Sequence, residues 1–333
     1  MSIQLHQVEI GYLKGKHKTP VLSQIDKQLQ AGELTCLLGA NGVGKSTLLR
    51  TLAGFQPKLA GKIHIQGKEI DTYTPKSLAK VISIVLTQRP KVYNMSSFEL
   101  VATGRTPYTD FWGKLTAEDH AIIRQAFQEV GIEQLKDRYI DTLSDGERQK
   151  VMIAKALVQD TPIILLDEPT AFLDYPSKVE IMQLLAQLAH QKNKTILLST
   201  HDMELAFQVA DYIWLFNKDK QLITGTPEDL AINGHFNTFF KHSGVSFNAQ
   251  KGLFMVHHPQ TKKIWLKKGG QYQELIERAL ARNGIEICKN QRTGLTQIEV
   301  VDEPVFAIEI TFKDQSKQFA HSIKELLAYK NNF

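Results

Sequence analysis

One nine-residue stretch constrains this chain more than any other: Gly39-Ala40-Asn41-Gly42-Val43-Gly44-Lys45-Ser46-Thr47, which fits G-x-x-x-x-G-K-[ST]. It follows the apolar block Leu34–Leu38 and opens an amphipathic helix over Ser46–Ala53 that stops at Gly54. Glycines at 39, 42 and 44 let the backbone turn tightly enough for successive N–H groups to face one anion. The helix that follows adds its positive N-terminal end. Lys45 is then placed to reach the β- and γ-phosphates of a nucleotide and Ser46 to ligate magnesium, with Asn41 and Thr47 in the same nucleotide-binding stretch. A strand, a phosphate loop and a helix in that order call for a parallel sheet covered by helices.

Two more stretches suit the same chemistry. Ile163-Ile164-Leu165-Leu166-Asp167-Glu168 puts two carboxylates at the C-terminal end of an apolar run, where open α/β sheets bind their ligands. Asp167 is the candidate for the magnesium shell. Glu168, one residue on, points elsewhere and is the candidate general base for an attacking water. Adjacent carboxylates repel, so a cation at this place relieves them. His201 follows the apolar run Thr195–Thr200 in the same way and is the candidate contact to a γ-phosphate.

The chain has 333 residues, enough for about two domains. With 42% hydrophobic and 23% charged residues it has the composition of a globular protein, not of a disordered one. The net charge of +5 admits an anionic ligand but falls short of a nucleic-acid footprint. Two cysteines exclude a disulfide scaffold and a four-cysteine zinc site; Cys36 and Cys288 read as buried strand residues. Met1–His6 runs straight into strand-like sequence, and no apolar run reaches 18 residues, so the chain reads as soluble and intracellular. From about 90 to 160 the pattern is helical, as in Ala117–Val130 and Glu147–Val158. From about 251 it turns to a small α+β unit, with strands at Leu253–His257, Lys263–Leu266, Thr296–Val301 and Val305–Phe312. Helices are predicted there over Tyr272–Arg282 and Ser322–Tyr329.

Leu143-Ser144-Asp145-Gly146-Glu147-Arg148-Gln149, upstream of the acidic pair, is similar to the LSGGQ signature, and with it residues 1–250 resemble an ABC-transporter nucleotide-binding subunit. The resemblance implies an α/β P-loop ABC ATPase cassette: a RecA-like parallel sheet core, a β subdomain and a helical insertion at about 90–160. A small C-terminal α+β domain over 251–333 follows it. It implies ATP and Mg2+ as ligands. Tyr12 would stack on adenine, Gln88 would link the magnesium site to a membrane partner, and Asp174 would lie in the loop joining two cassettes. Two copies would sandwich two ATP molecules head to tail, Ser144 and Gly146 of one facing the nucleotide of the other. Two positions depart from the signature: Asp145 stands for a glycine and Glu147 for a glutamine. Ser144-x-x-Glu147 reads as a helix capping box, and Asp145 is expected to turn away from the phosphate because Gly146 keeps the close approach.

Val101-x-x-Gly104-Arg105-x-Pro107, with Leu115–Asp119, resembles importers for iron-siderophores, haem and cobalamin. That implies membrane permease subunits as partners, a substrate-binding protein indirectly, and a peripheral place on the cytoplasmic face of the plasma (inner) membrane. Met95 and Phe98 are then candidates for the floor of a cleft that takes a permease helix. A soluble ABC ATPase acting on nucleic acid or ribosomes, or an exporter subunit, are the other classes. One phosphate loop and no cysteine cluster argue against the first, so no nucleic acid is expected as a partner; the Gly-Arg-x-Pro stretch argues against the second. The C-terminal unit reads as an accessory domain.

Overall fold

A computed structural model describes residues 2–15, 17–87, 94–217, 221–241, 244–288, 294–301 and 306–333. The candidate Gln88 lies outside the described residues. The chain divides into two compact units, Met1–Phe239 and Phe240–Phe333.

The first unit opens with β1 (Ile3–Lys14), β2 (His17–Leu29) and β3 (Leu34–Leu38), then α1 (Lys45–Leu52), β4 (Ala60–Ile65), β5 (Lys68–Glu69), α2 (Pro75–Leu78) and β6 (Ile82–Val85). Three helices follow: α3 (Ser97–Ala102), α4 (Ala117–Val130) and α5 (Asp145–Val158). Then come β7 (Ile163–Asp167), α6 (Tyr175–Lys192), β8 (Thr195–Ser199), α7 (Met203–Val209), β9 (Tyr212–Phe216), β10 (Leu222–Gly225), α8 (Pro227–Ile232) and α9 (His235–Phe239). A four-stranded antiparallel sheet has the order β2-β1-β4-β5, and a six-stranded sheet the order β10-β9-β3-β8-β7-β6. The larger sheet is parallel except at β10. Every residue of β3, β7 and β8 is buried, which is why those strands read as continuous apolar runs without alternation.

Side chains of both sheets and of α1 fill one core: Ile3, Leu5 and Ile63 meet Leu37, Leu48, Leu49, Leu165 and Phe216. Each such side chain contributes roughly 1.5–3 kcal/mol. Leu48, Leu49 and Leu52 have no exposed surface, so packing fixes the helix behind the phosphate loop.

The two stretches that resemble importer sequence meet in the helical segment. Arg105 Nε donates to Asp119 Oδ1 at 2.7 Å and its Nη1 to the Val158 carbonyl at 2.8 Å, with both side chains only 7% exposed. Its guanidinium stacks 4.0 Å from the centre of the Tyr108 ring. Asp119 Oδ2 in turn accepts from the N–H and hydroxyl of Thr116, the capping box of α4. These bonds hold the Asp119 carboxyl below the usual range, the backbone N–H of Thr116 most of all. Gly104 is required by space: a Cβ there would lie 2.3 Å from the Lys155 carbonyl oxygen. The Gly-Arg pair is thus a clip that ties the start of α4 to the end of α5.

The second unit has its own core, built from Ile264, Ile276, Leu280, Ile298, Ile308 and Leu326 among others. β11 (Val245–Asn248) and β12 (Leu253–Val256) form a hairpin. β13 (Lys262–Lys268), α10 (Gln273–Arg282), β14 (Ile285–Cys288), β15 (Thr296–Val301), β16 (Ala307–Thr311), β17 (Lys317–Ala320) and α11 (Ile323–Ala328) follow. Their sheet has the order β14-β13-β15-β16-β17. Cys36 is buried as expected, but Cys288 is partly exposed because its strand lies at the sheet edge. Among the described residues, no helix is long and apolar enough to cross a membrane.

Candidate functional site

The order β3-β8-β7 brings the ends of three strands side by side: Gly39 follows β3, Ser199 ends β8, and Asp167 ends β7. The phosphate loop Gly39–Gly44 leaves the sheet there and enters α1 at Lys45. Gly44 has a φ of +118°, and a Cβ on it would lie 2.7 Å from Val21 Cγ1, so both backbone and space demand glycine. Gly42 also has a left-handed φ, of +75°, with open space around it. Lys45 folds back over the loop, its Nζ donating to the carbonyls of Gly39 at 2.8 Å and Ala40 at 3.2 Å. Burial lowers its pKa from the usual lysine range, while the carboxylates of Glu168 and Asp167 act the other way.

Asp167 is 5% exposed and is the hub. Its Oδ1 accepts from Ser46 Oγ at 3.0 Å and from Ser199 Oγ at 2.8 Å, and its carbonyl accepts from Thr87 Oγ1 at 2.7 Å. Glu168 has a left-handed φ of +52°, a conformation that costs a non-glycine residue about 1 kcal/mol. Its N–H donates to Ser199 Oγ at 2.9 Å, and its carboxylate pairs with His201 Nε2. Lys45, Ser46, Asp167, Glu168 and His201 therefore converge. Ser46 Oγ and the Asp167 carboxylate are hard oxygen donors that share a hydrogen bond, a donor set suited to Mg2+.

Tyr12 sits at the edge of this group, 56% exposed, with its hydroxyl 3.3 Å from Thr47 Oγ1. Its ring is open to a planar ligand. The signature residues form a second group. Ser144 caps α5: its Oγ accepts from Glu147 N–H at 3.3 Å and its N–H donates to Glu147 Oε2 at 2.9 Å. The Ser144 N–H first, and its hydroxyl after it, hold the Glu147 carboxyl below its usual range. The capping box read from the sequence is therefore present, and it is what makes a glutamate at 147 compatible with a helix start. Asp145 Oδ1 pairs with Arg148 Nη1 at 3.0 Å, one turn along its own helix, so Arg148 offsets the charge that replaces the signature glycine. Arg148 itself is anchored to the carbonyls of Leu143 and Ile140.

Asp174 caps α6 by accepting from Ser177 N–H at 3.2 Å. A Cβ on Gly146 would lie 3.3 Å from Ser177 Oγ, so the signature helix and the Asp174 loop are neighbours. Met95 and Phe98 are partly buried, the Phe98 ring stacked 5.7 Å from His120 with Lys136 Nζ 5.3 Å above it. Sequence reasoning missed Thr87 and Ser199. Ser199 had a signal: a hydroxyl closing an otherwise apolar buried strand two residues before His201.

A phosphate loop, an acidic strand end and a capped signature helix on this parallel sheet define a P-loop ATPase cassette. The ABC transporter family profile matches residues 22–171. An ABC transporter ATP-binding protein of Methanocaldococcus jannaschii is 38% identical over 269 residues, 80% of this chain and 93% of that protein. The iron(3+)-hydroxamate import ATP-binding protein of Bacillus subtilis is 36% identical over 68% of this chain and 82% of its own length. A dimeric bacterial ABC transporter cassette superposes with a TM-score of 0.56 at 26% identity, covering 64% of this chain and 93% of that one. The chain belongs to the ABC transporter family as an ATP-binding ATPase subunit.

Proposed function

We propose that this chain hydrolyses ATP to power an importer, with an iron-siderophore, haem or cobalamin as cargo. The observation that carries the ATPase site is the hydrogen-bonded line Ser46–Asp167–Ser199–Glu168, which joins the phosphate loop to both acids. The importer reading is supported by the Gly104-Arg105 clip to Asp119 and by the import protein of Bacillus subtilis among its relatives.

In this reading the loop N–H groups and Lys45 hold the ATP phosphates, and Tyr12 stacks on adenine. Ser46 and Asp167 hold Mg2+, which offsets phosphate charge when bound. Glu168 accepts a proton from the water that attacks the γ-phosphorus, the bond from that phosphorus to the bridging oxygen breaks, and ADP and phosphate leave. His201, now on the Glu168 carboxylate, steadies the base and meets the γ-phosphate. Ser144 and Gly146 of a second copy complete the site, with Asp174 at the seam; the dimeric cassette relative supports that arrangement. Gln88 would carry the state of the site to the permease. Permease subunits hold the chain at the cytoplasmic face of the membrane, and a substrate-binding protein supplies the cargo.

Glu168→Gln tests the reading. Turnover is expected to fall about 10²–10⁴-fold, and light scattering is expected to show an ATP-dependent doubling of mass. Hydrolysis within threefold of the parent overturns the base assignment, and an unchanged mass overturns the two-copy site. Lys45→Ala is expected to weaken ATP binding itself, and affinity equal to the parent's overturns the phosphate-loop assignment.

A further inference from the structure

The hydroxyl of Ser199 stands between the two acids and uses both of its capacities there. It donates to Asp167 Oδ1 at 2.8 Å and accepts the Glu168 N–H at 2.9 Å. Ser199 has no exposed surface, and β8 pairs with β7 so that Ser199 lies directly opposite Asp167. Its position is therefore set by the sheet, not by a loop. Glu168, in contrast, leaves the strand with a left-handed φ of +52°. A peptide N–H in that conformation has turned out of the β7 ladder and needs an acceptor elsewhere. Ser199 is that acceptor.

We infer that Ser199 is a positioning residue for ATP hydrolysis: anchored on Asp167 Oδ1, it fixes the backbone turn that aims the Glu168 carboxylate. The inference rests on the reading of Glu168 as general base. Ser46 also donates to Asp167 Oδ1, at 3.0 Å, but its hydroxyl is the one that would hold magnesium in the proposed site. Ser199 then remains as the protein's own hold on that carboxylate. A hydroxyl is needed because the group must donate on one side and accept on the other. Valine and alanine do neither, and threonine does both.

Threonine and valine have nearly equal volume, so Ser199→Thr and Ser199→Val disturb packing alike and differ in the hydroxyl alone. With the full-length chain, basal turnover of Ser199→Val is expected to be about 10–100-fold below that of Ser199→Thr, the loss that a misplacement near 1 Å brings. ATP affinity, read with a fluorescent nucleotide, is expected to agree within twofold between the two. In the Glu168→Gln background, single-turnover hydrolysis over hours is expected to show no difference between Thr and Val at 199, because the effect passes through Glu168. Ser199→Ala, which cannot clash, repeats the Val arm should the larger side chains unfold the protein. Equal turnover in Thr and Val variants, with Ala matching the parent, overturns the role of Ser199. So does a loss of ATP affinity as large as the loss of turnover, or a Thr–Val difference that persists without Glu168. A Glu168→Gln protein as active as the parent overturns the base assignment instead.

Discussion

Arg105→Met removes a charge that is buried against another and leaves the rest of the clip in place. Three interactions go: the 2.7 Å bond to Asp119, the 2.8 Å bond to the Val158 carbonyl, and the stacking on Tyr108. Breaking a buried pair by removing one partner costs about 3–5 kcal/mol. Asp119 keeps its two bonds from Thr116, so its charge is not stranded, and the low end, about 3 kcal/mol, applies. Hydrogen exchange of the α4 and α5 amides reads this directly, because opening of that segment need not unfold the whole chain. At about 1.4 kcal/mol per tenfold, exchange there is expected to speed up about a hundredfold. Amides of β3, β7 and β8 are expected to keep their protection. Arg105→Met with Asp119→Asn retains a capping acceptor without the charge and is expected to recover about tenfold of the loss. The pH dependence has a definite sign. The folded Asp119 carboxyl titrates below its ordinary value, so its stabilisation is present above about pH 4 and is lost as pH falls through the lowered value. Exchange of the α4 and α5 amides within threefold of the parent, or equal acceleration across the central sheet, would refute the clip.

Gly104→Ala is expected to destabilise the same segment by about 1–3 kcal/mol, because a Cβ meets backbone at the Lys155 carbonyl; thermal unfolding checks it. In the Glu168→Gln background, Asp145→Asn is expected to tighten ATP-driven association by about threefold and Arg148→Gln to weaken it by a similar factor, since one removes a negative charge at the start of α5 and the other removes a cation that pairs with it. The double variant is expected to return to the parent value in sedimentation; a double variant as weak as Arg148→Gln would assign Arg148 to its carbonyl anchors instead. Phe98→Ala is expected to lower permease-stimulated hydrolysis while ATP affinity of the isolated chain stays within twofold, a comparison that separates a docking role from packing against His120.

What the sequence determined by itself was the chemistry carried by short, contiguous patterns. The glycines of the phosphate loop and the Ser144-x-x-Glu147 box act through neighbours within a few residues, so spacing alone expresses them; the two acids were legible as the polar end of an apolar run, while their partners Ser46, Ser199 and His201 lie far off in sequence. Helices fell close to the reading for the same reason. Ala117–Val130 matched, and α5 began at Asp145 because its cap, Ser144, is local. Gly104, Arg105 and Asp119 were legible only as a likeness. Their physical reason, one buried ion pair and one missing Cβ, appeared when Arg105 met Asp119, 14 residues on, and Gly104 met Lys155 on the much later helix α5. Asp145 raised a question of charge that its neighbour Arg148 answers, but a side-chain rotamer is not written in spacing. The tertiary structure alone decided that β8 lies between β3 and β7. Strand order is fixed by crossovers and by burial of both sheet faces, not by any one strand's residues. That order is what places the hydroxyl of Ser199 between Asp167 and Glu168, where an ordinary serine at the end of an apolar strand holds both acids at once.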